Sequence, residues 1–208
     1  MARPVLLPTY GRAALLGWLV CSSAVAATVQ VDVSDAEGRP LSDAVVFLDS
    51  PEARKLARPL ADAEMVQEGR QFVPAVLVVP TGTSVTFPNR DKVRHHVYSF
   101  SPAKKFELKL YSGTPSNPVV FDQQGVVVLG CNIHDRMVGW VVVVDTPFFG
   151  RTAAGTGRLQ IDNVPPDRYT LRTWHSRMPV GAAALEQPLV VPATGSSQTA
   201  VRVTGLQP

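Results

Sequence analysis

The run from Val126 to Val144, VVVLGCNIHDRMVGWVVVV, restricts the fold more than any other part of the chain. Valine branches at Cβ, which crowds it in a helix and suits it to a pleated strand. Valine runs this continuous, with no polar alternation, fit strands packed on both faces rather than half-exposed ones. Between the two runs lies a tight polar loop carrying Cys131, His134 and Met137 at Cys-x2-His-x2-Met spacing. Thiolate, imidazole and thioether within seven residues form a soft, polarisable ligand set.

The amino terminus reads as a secretory signal over residues 1–27. Arg3 and Arg12 supply a basic region, Ala13 to Val20 an apolar one, and SSAVAA a small-residue cleavage site near Ala26 or Ala27. The apolar run falls short of the roughly 20 residues a membrane span needs, so no integral membrane segment is expected after cleavage. Cys21 leaves with the signal, and Cys131 becomes the one exported cysteine, which excludes an intrachain disulfide. A lone thiol in an oxidising compartment is a liability that metal binding would remove, and a buried inert cysteine is the plain alternative. The formal charge of +3 shrinks too: loss of Arg3 and Arg12 leaves 18 basic and 17 acidic residues. With no Lys/Arg run, nothing points to nucleic acid. About 180 residues after the signal, 45% hydrophobic residues in the full chain and 18 prolines fit one or two packed all-β domains.

Strands are expected at Thr28–Val33 and Ala44–Leu48, with a Gly38–Pro40 turn between them. The charged stretch 51–63 reads as a linker with room for a turn or two of helix. Further strands follow through Val85 and Phe87, through His95, His96 and VYSF, and through Phe106–Tyr111, where Phe106, Leu108 and Leu110 are expected on one face. Because neighbouring strand residues point to opposite faces, only one of His95 and His96 can face the Cys131 loop.

Residues 64–147 resemble a cupredoxin, the family of plastocyanin and amicyanin. The resemblance rests on V-P-T-G-T-S-V-T-F-P-N before the histidines, the G-V-V-V-L-G-C strand, and C-N-I-H-D-R-M-V-G. It is closer still to periplasmic cupredoxin proteins often labelled "methylamine utilisation protein", a label that records genetic association and from which no substrate is carried over. The resemblance implies a Greek-key β-sandwich and one type 1 (blue) copper per chain. Its ligands would be His95, Cys131, His134 and Met137, in a trigonal His2Cys set with weak axial Met. Aligning HHV on the family's H-N-V makes His95 the ligand and His96 the occupant of the Asn position, where it could brace the cysteine loop. His134 would stand at the solvent edge, and backbone N–H groups near Asn89 and in the cysteine loop would tune the sulfur. Gly130 stands where plastocyanin carries Tyr.

The flanks resemble carboxypeptidase regulatory-like domains, which are small prealbumin-like β-sandwiches. Residues 28–50 carry D-x-x-G-x-P-L-x-D-A-V-V, and Gly157–Leu171 follow G-x-F-x-I-x-N-V-P-P-G-x-Y-x-L with Leu159 for Phe and Asp167 for Gly. One sandwich formed from 28–50 and 148–208, with the cupredoxin inserted, is therefore expected.

Other chemistries fit worse. Structural zinc favours more thiolates without a thioether. A binuclear copper site wants two loop cysteines. No haem-attachment, Gly-x-Ser-x-Gly, P-loop or His-Glu-x-x-His motif occurs. The chain thus reads as no enzyme. Two functional classes remain: an electron shuttle serving a periplasmic redox protein such as a c-type cytochrome or a dehydrogenase, and a copper carrier or docking module. The charged residues Lys92, Arg94, Asp135 and Arg136 make the face around His134 more polar than a shuttle's usual apolar patch.

Overall fold

A computed structural model describes residues 27–207, so the signal expected over 1–27 lies outside the described residues except for Ala27. That residue is already strand, pairing with Val164. The described part of the chain is all-β apart from one short helix. Two strands open it, β1 (Ala27–Ser34) and β2 (Val45–Asp49), followed by helix α1 (Pro51–Leu56). Ser50 caps this helix, its Oγ accepting from the Ala53 N–H at 3.1 Å. The next group is β3 (Ala63–Glu64), β4 (Val66–Glu68), β5 (Gln71–Val73), β6 (Val76–Pro80) and β7 (Thr83–Thr86). Then come β8 (His95–Ser101), β9 (Lys104–Tyr111), β10 (Val119–Phe121), β11 (Gly125–Cys131) and β12 (Val138–Val144). The last five are β13 (Phe149–Arg151), β14 (Arg158–Val164), β15 (Asp167–Trp174), β16 (Leu185–Val191) and β17 (Ser196–Arg202).

These strands stack as two sandwiches. In one, the sheet β6-β12-β11-β8-β9 faces the sheet β10-β7-β3 across a core of Phe72, Val85, Phe87, Val97, Phe121, Val127 and Leu129. In the other, β14-β1-β17 faces β13-β2-β15-β16 around Val29, Val31, Val46, Leu48, Ile161 and Leu171. The opening strands therefore pair with the closing ones: β1 lies between β14 and β17, and β2 between β13 and β15.

The valine runs are packed on both faces. Along β12, Val141 and Val143 join the first core, whereas Val142 and Val144 join the second. Trp140 extends that outer face and meets Trp174 of β15 at 6.3 Å between ring centroids. Along β11, from Gly125 to Gly130, the sandwiches part, leaving a cleft of about 810 Å³ lined by Phe47, Tyr98, Phe100, Gly130, Trp140 and Trp174. No helix among the described residues is long and apolar enough to cross a membrane.

One strand departs from the expected alternation. Leu110 is 49% exposed, and Tyr111 takes the inward place. The cause is a bulge in the β8–β9 pair, where His95 faces Tyr111 but Val97 faces Leu108, so Lys109 and Leu110 together oppose His96.

Two residues tie the second sandwich together. Gly157, at φ +63°, accepts the Val33 N–H at 2.8 Å, and a Cβ there would lie 2.4 Å from the Val33 carbonyl oxygen. Replacing Gly157 with Ala is expected to cost about 3 kcal/mol in denaturant unfolding, combining left-handed strain with a backbone clash. His175 is buried, with Nε2 donating to the Ser42 carbonyl (3.1 Å) and Nδ1 accepting from the Arg177 N–H (3.1 Å). Burial foremost, with the Arg177 charge, holds its pKa below the ordinary 6.5 against the opposing Ser42 carbonyl and Asp43. The folded state thus favours the neutral ring, while the unfolded ring protonates near pH 6.5. This contribution to stability is full above about pH 6.5 and is lost as pH falls towards the folded-state value. Unfolding titrations should show that slope, and a His175→Gln variant should lack it.

Candidate metal centre

The site forms where β8, β11 and the start of β12 meet. Cys131 ends β11 and pairs with Val97, while Gly130 pairs with Tyr98. After six intervening residues the chain re-enters the sheet at β12, so the polar loop is a hairpin connection. Two successive turns shape it: the His134 N–H donates to the Cys131 carbonyl (3.3 Å), and the Met137 N–H donates to the His134 carbonyl (2.9 Å). Each turn brings the next candidate ligand back over the strand ends.

Three of the four expected ligands converge. Cys131 Sγ lies 3.7 Å from His95 Nδ1 and 3.7 Å from His134 Nδ1. The ligand atoms of His95, Cys131 and His134 all fall within 4.8 Å of one another. Cys131 and His95 are buried, and His134 is half-buried. Met137 is 1% exposed and belongs to the same apolar cluster as Cys131. Cys131 is a free thiol.

The neighbouring histidines separate as strand alternation requires. His95 faces the sulfur, while His96 points to the opposite side, where its Nε2 meets Glu107 Oε1 at 2.9 Å. His96 does touch the cysteine loop, but loosely: Asn132 Nδ2 is 3.4 Å from both ring nitrogens, a distance shared too evenly for one directed bond. Its firm partner is Glu107. The Asn89 N–H does not tune the sulfur either, because it donates to the Gly113 carbonyl at 2.8 Å. Asn89 acts through its side chain instead, with Nδ2 donating to the Val93 and Tyr111 carbonyls (2.9 Å each) and Oδ1 accepting from the Asp91 N–H (2.9 Å).

Further residues around the site were not legible in the sequence. Asp91 Oδ2 stands 2.8 Å from His95 Nε2 and also accepts the Arg70 N–H at 2.9 Å. Burial pushes the Asp91 carboxyl up, but the Arg70 N–H, His95 and the Gly69 N–H outweigh it, holding it below its ordinary 3.8. Tyr111 pairs with His95 across the β8–β9 ladder and donates its hydroxyl to the Phe87 carbonyl at 2.7 Å. Burial pushes its pKa up to about 12, with Gln67 opposing and Cys131 adding to the rise. Tyr98 fills the space above Gly130, where a Cβ would come within 2.8 Å of the phenol ring. An aromatic ring therefore does lie beside Cys131's neighbour, supplied by the adjacent strand.

The donor set suits a soft or borderline metal ion. Two imidazole nitrogens face one sulfur in a cluster closed on the protein side by apolar residues, and a thioether sulfur is buried in the same loop. Both imidazoles present Nδ1, which leaves Nε2 of His95 for its carboxylate partner.

No family model matches the chain, and no curated protein matches it. Among solved structures, it is similar to a purple cupredoxin from Nitrosopumilus maritimus, at 28% identity over 40% of this chain and 100% of that one, with TM-score 0.36. It is also similar to an amicyanin variant in its reduced Cu(I) form at pH 4, at 22% identity over 48% of this chain and 98% of that one, with TM-score 0.36. A second amicyanin variant in the Cu(I) form gives 23% identity over 49% and 99% of the two chains, again with TM-score 0.36.

Ligand assignment can be tested without copper. Co(II) titration of the metal-free protein is expected to show one ion per chain. Cys131→Ser, His95→Ala and His134→Ala should each weaken binding more than about 100-fold, beyond what loss of a merely supporting partner costs. His96→Ala should bind as the unaltered protein does; strong loss there would reassign the first ligand.

Proposed function

We propose that this chain is an exported type 1 copper protein of the cupredoxin kind that passes single electrons between periplasmic redox partners. One observation carries the reading: His95 Nδ1 and His134 Nδ1 both face Cys131 Sγ at 3.7 Å in a buried pocket whose loop also supplies Met137. Copper held there by His95, Cys131, His134 and Met137 would supply a reversible one-electron couple. Cys131 is the thiolate donor and, through Gly130, the residue bonded into β11. Half-buried His134 is the natural point of contact with a partner. Residues 28–50 and 148–208 make up the second sandwich in this proposal, with 64–147 inserted between them; the pairing of β1 with β14 and β17 supports it.

The surroundings of His134 favour a shuttle. Val93 and Ile133, on the same two loops, are 39% and 46% exposed, offering apolar contact area on the loops that carry Lys92, Arg94, Asp135 and Arg136. An apolar patch permits the brief docking that electron exchange needs, and the charges add orientation and rate more than affinity. The partner would be a c-type cytochrome or a dehydrogenase. The charged part of the rim keeps a second reading open, a copper carrier that delivers its ion to a partner.

Optical and electron paramagnetic spectra of the copper-loaded mature protein are expected to show an intense thiolate-to-Cu(II) band that vanishes in Cys131→Ser. Stopped-flow mixing with a reduced c-type cytochrome should then bleach the band rapidly and reversibly, with copper retained. Loss of copper to an acceptor without fast electron exchange would favour the carrier. Absence of the band in folded protein would refute the metal reading itself.

A further inference from the structure

His95 has no exposed surface, and its two ring nitrogens meet different partners. Nδ1 faces the Cys131 sulfur, and Nε2 is 2.8 Å from Asp91 Oδ2. Asp91 is itself held on three sides. Its Oδ2 also accepts the Arg70 N–H (2.9 Å), its Oδ1 accepts the Gly69 N–H (2.8 Å), and its own N–H is tied to Asn89 Oδ1 (2.9 Å). Gly69 and Arg70 form the two-residue turn between β4 and β5, both in the left-handed region at φ +63° and +60°. That turn aims two consecutive amides at one carboxylate. A surface aspartate that merely capped the turn would need only these two amides. The third contact, to a fully buried imidazole, connects the hairpin to the metal centre.

We propose that Asp91 is a positioning residue of this centre: it holds His95 in the Nε2–H tautomer, keeps the Nδ1 lone pair aimed at the Cys131 sulfur, and by its negative charge favours the more oxidised metal. The proposal rests on the metal reading above. A carboxylate accepting the outer N–H of a ligand imidazole fixes ring orientation and raises the ring's basicity. Both effects strengthen the bond to the more highly charged ion, so Asp91 lowers the reduction potential. The two roles separate by chemistry. Asp91→Asn can keep an oxygen opposite Nε2 but removes the charge, whereas Asp91→Ala removes both.

The first measurement needs no metal. In nitrogen-resolved imidazole spectra of the metal-free full chain, His95 is expected as the Nε2–H tautomer. Asp91→Asn should retain that tautomer, and Asp91→Ala should populate Nδ1–H, donating to Cys131. Persistence of Nε2–H alone in folded Asp91→Ala overturns the tautomer role. In copper-loaded protein, Asp91→Asn and Asp91→Ala should both shift the potential upward, and Co(II) affinity in Asp91→Ala should fall about 10- to 100-fold. An unchanged potential in Asp91→Asn overturns the charge role. Should Asp91→Ala fail to fold, Asp91→Asn and Asp91→Glu decide: Glu must restore the low potential that Asn loses, an outcome that turn capping alone would not give. If the unaltered protein binds no copper, the functional reading fails, while the metal-free spectra still test the Asp91–His95 bond.

Discussion

The candidate metal centre depends on a two-residue ladder in which Gly130 faces Tyr98 and Cys131 faces Val97. Strand side chains alternate, so this register alone puts Cys131 on the inner face that His95 and Val97 share. A slip of one residue would turn the sulfur into the cleft and bring His96 round in place of His95. The six-pair ladder from β11 to β12 then fixes where the loop must return, and the two turns over Cys131–Met137 leave His134 little freedom. Gly130 belongs to the same constraint, because only a residue without Cβ leaves room for the Tyr98 ring against β11.

What was legible in the sequence follows from how local each cause is. The valine runs could be read because composition and double-sided burial act on the same residues. The Cys-x2-His-x2-Met set could be read because one short loop holds all three. Alternation showed that only one of His95 and His96 could face the loop, and the choice of His95 came from the resemblance of HHV to H-N-V. Asp91 could not be read, since its role exists only after the Gly69–Arg70 turn, some twenty residues earlier, has folded against it. The fate of the Asn89 N–H likewise depends on a distant partner, Gly113. Leu110 was misplaced for a related reason: the bulge that turns it outward is a property of the strand pair, not of the FELKLY alternation.

Support along β12 is uneven, and the unevenness bears on how the site is held. On its outer face, Val144 and Val142 are buried against the second sandwich, Trp140 is half-buried, and Val138 is 40% exposed. Along β12 the second sandwich therefore covers the end far from the loop, while beside that strand a cleft runs along β11 from Gly125 to Gly130. At the loop end Val97, Leu129, Val141 and Met137 pack the inner face, and the Tyr98 ring lies over Gly130 on the outer one.

Apolar contact alone does not fix the direction of the buried His95 ring, because packing is tolerant of rotation where a hydrogen bond is not. The polar clamp supplies what packing lacks. Asn89 ties the His95 approach to Val93, Tyr111 and Asp91, and Asp91 ties His95 to the β4–β5 turn. The division of labour follows: the second sandwich supports the sheet as a scaffold, and the Asn89–Asp91 network holds the His95 ring. Changes in the second sandwich should therefore be felt first as stability, whereas changes in the clamp should be felt first at the sulfur.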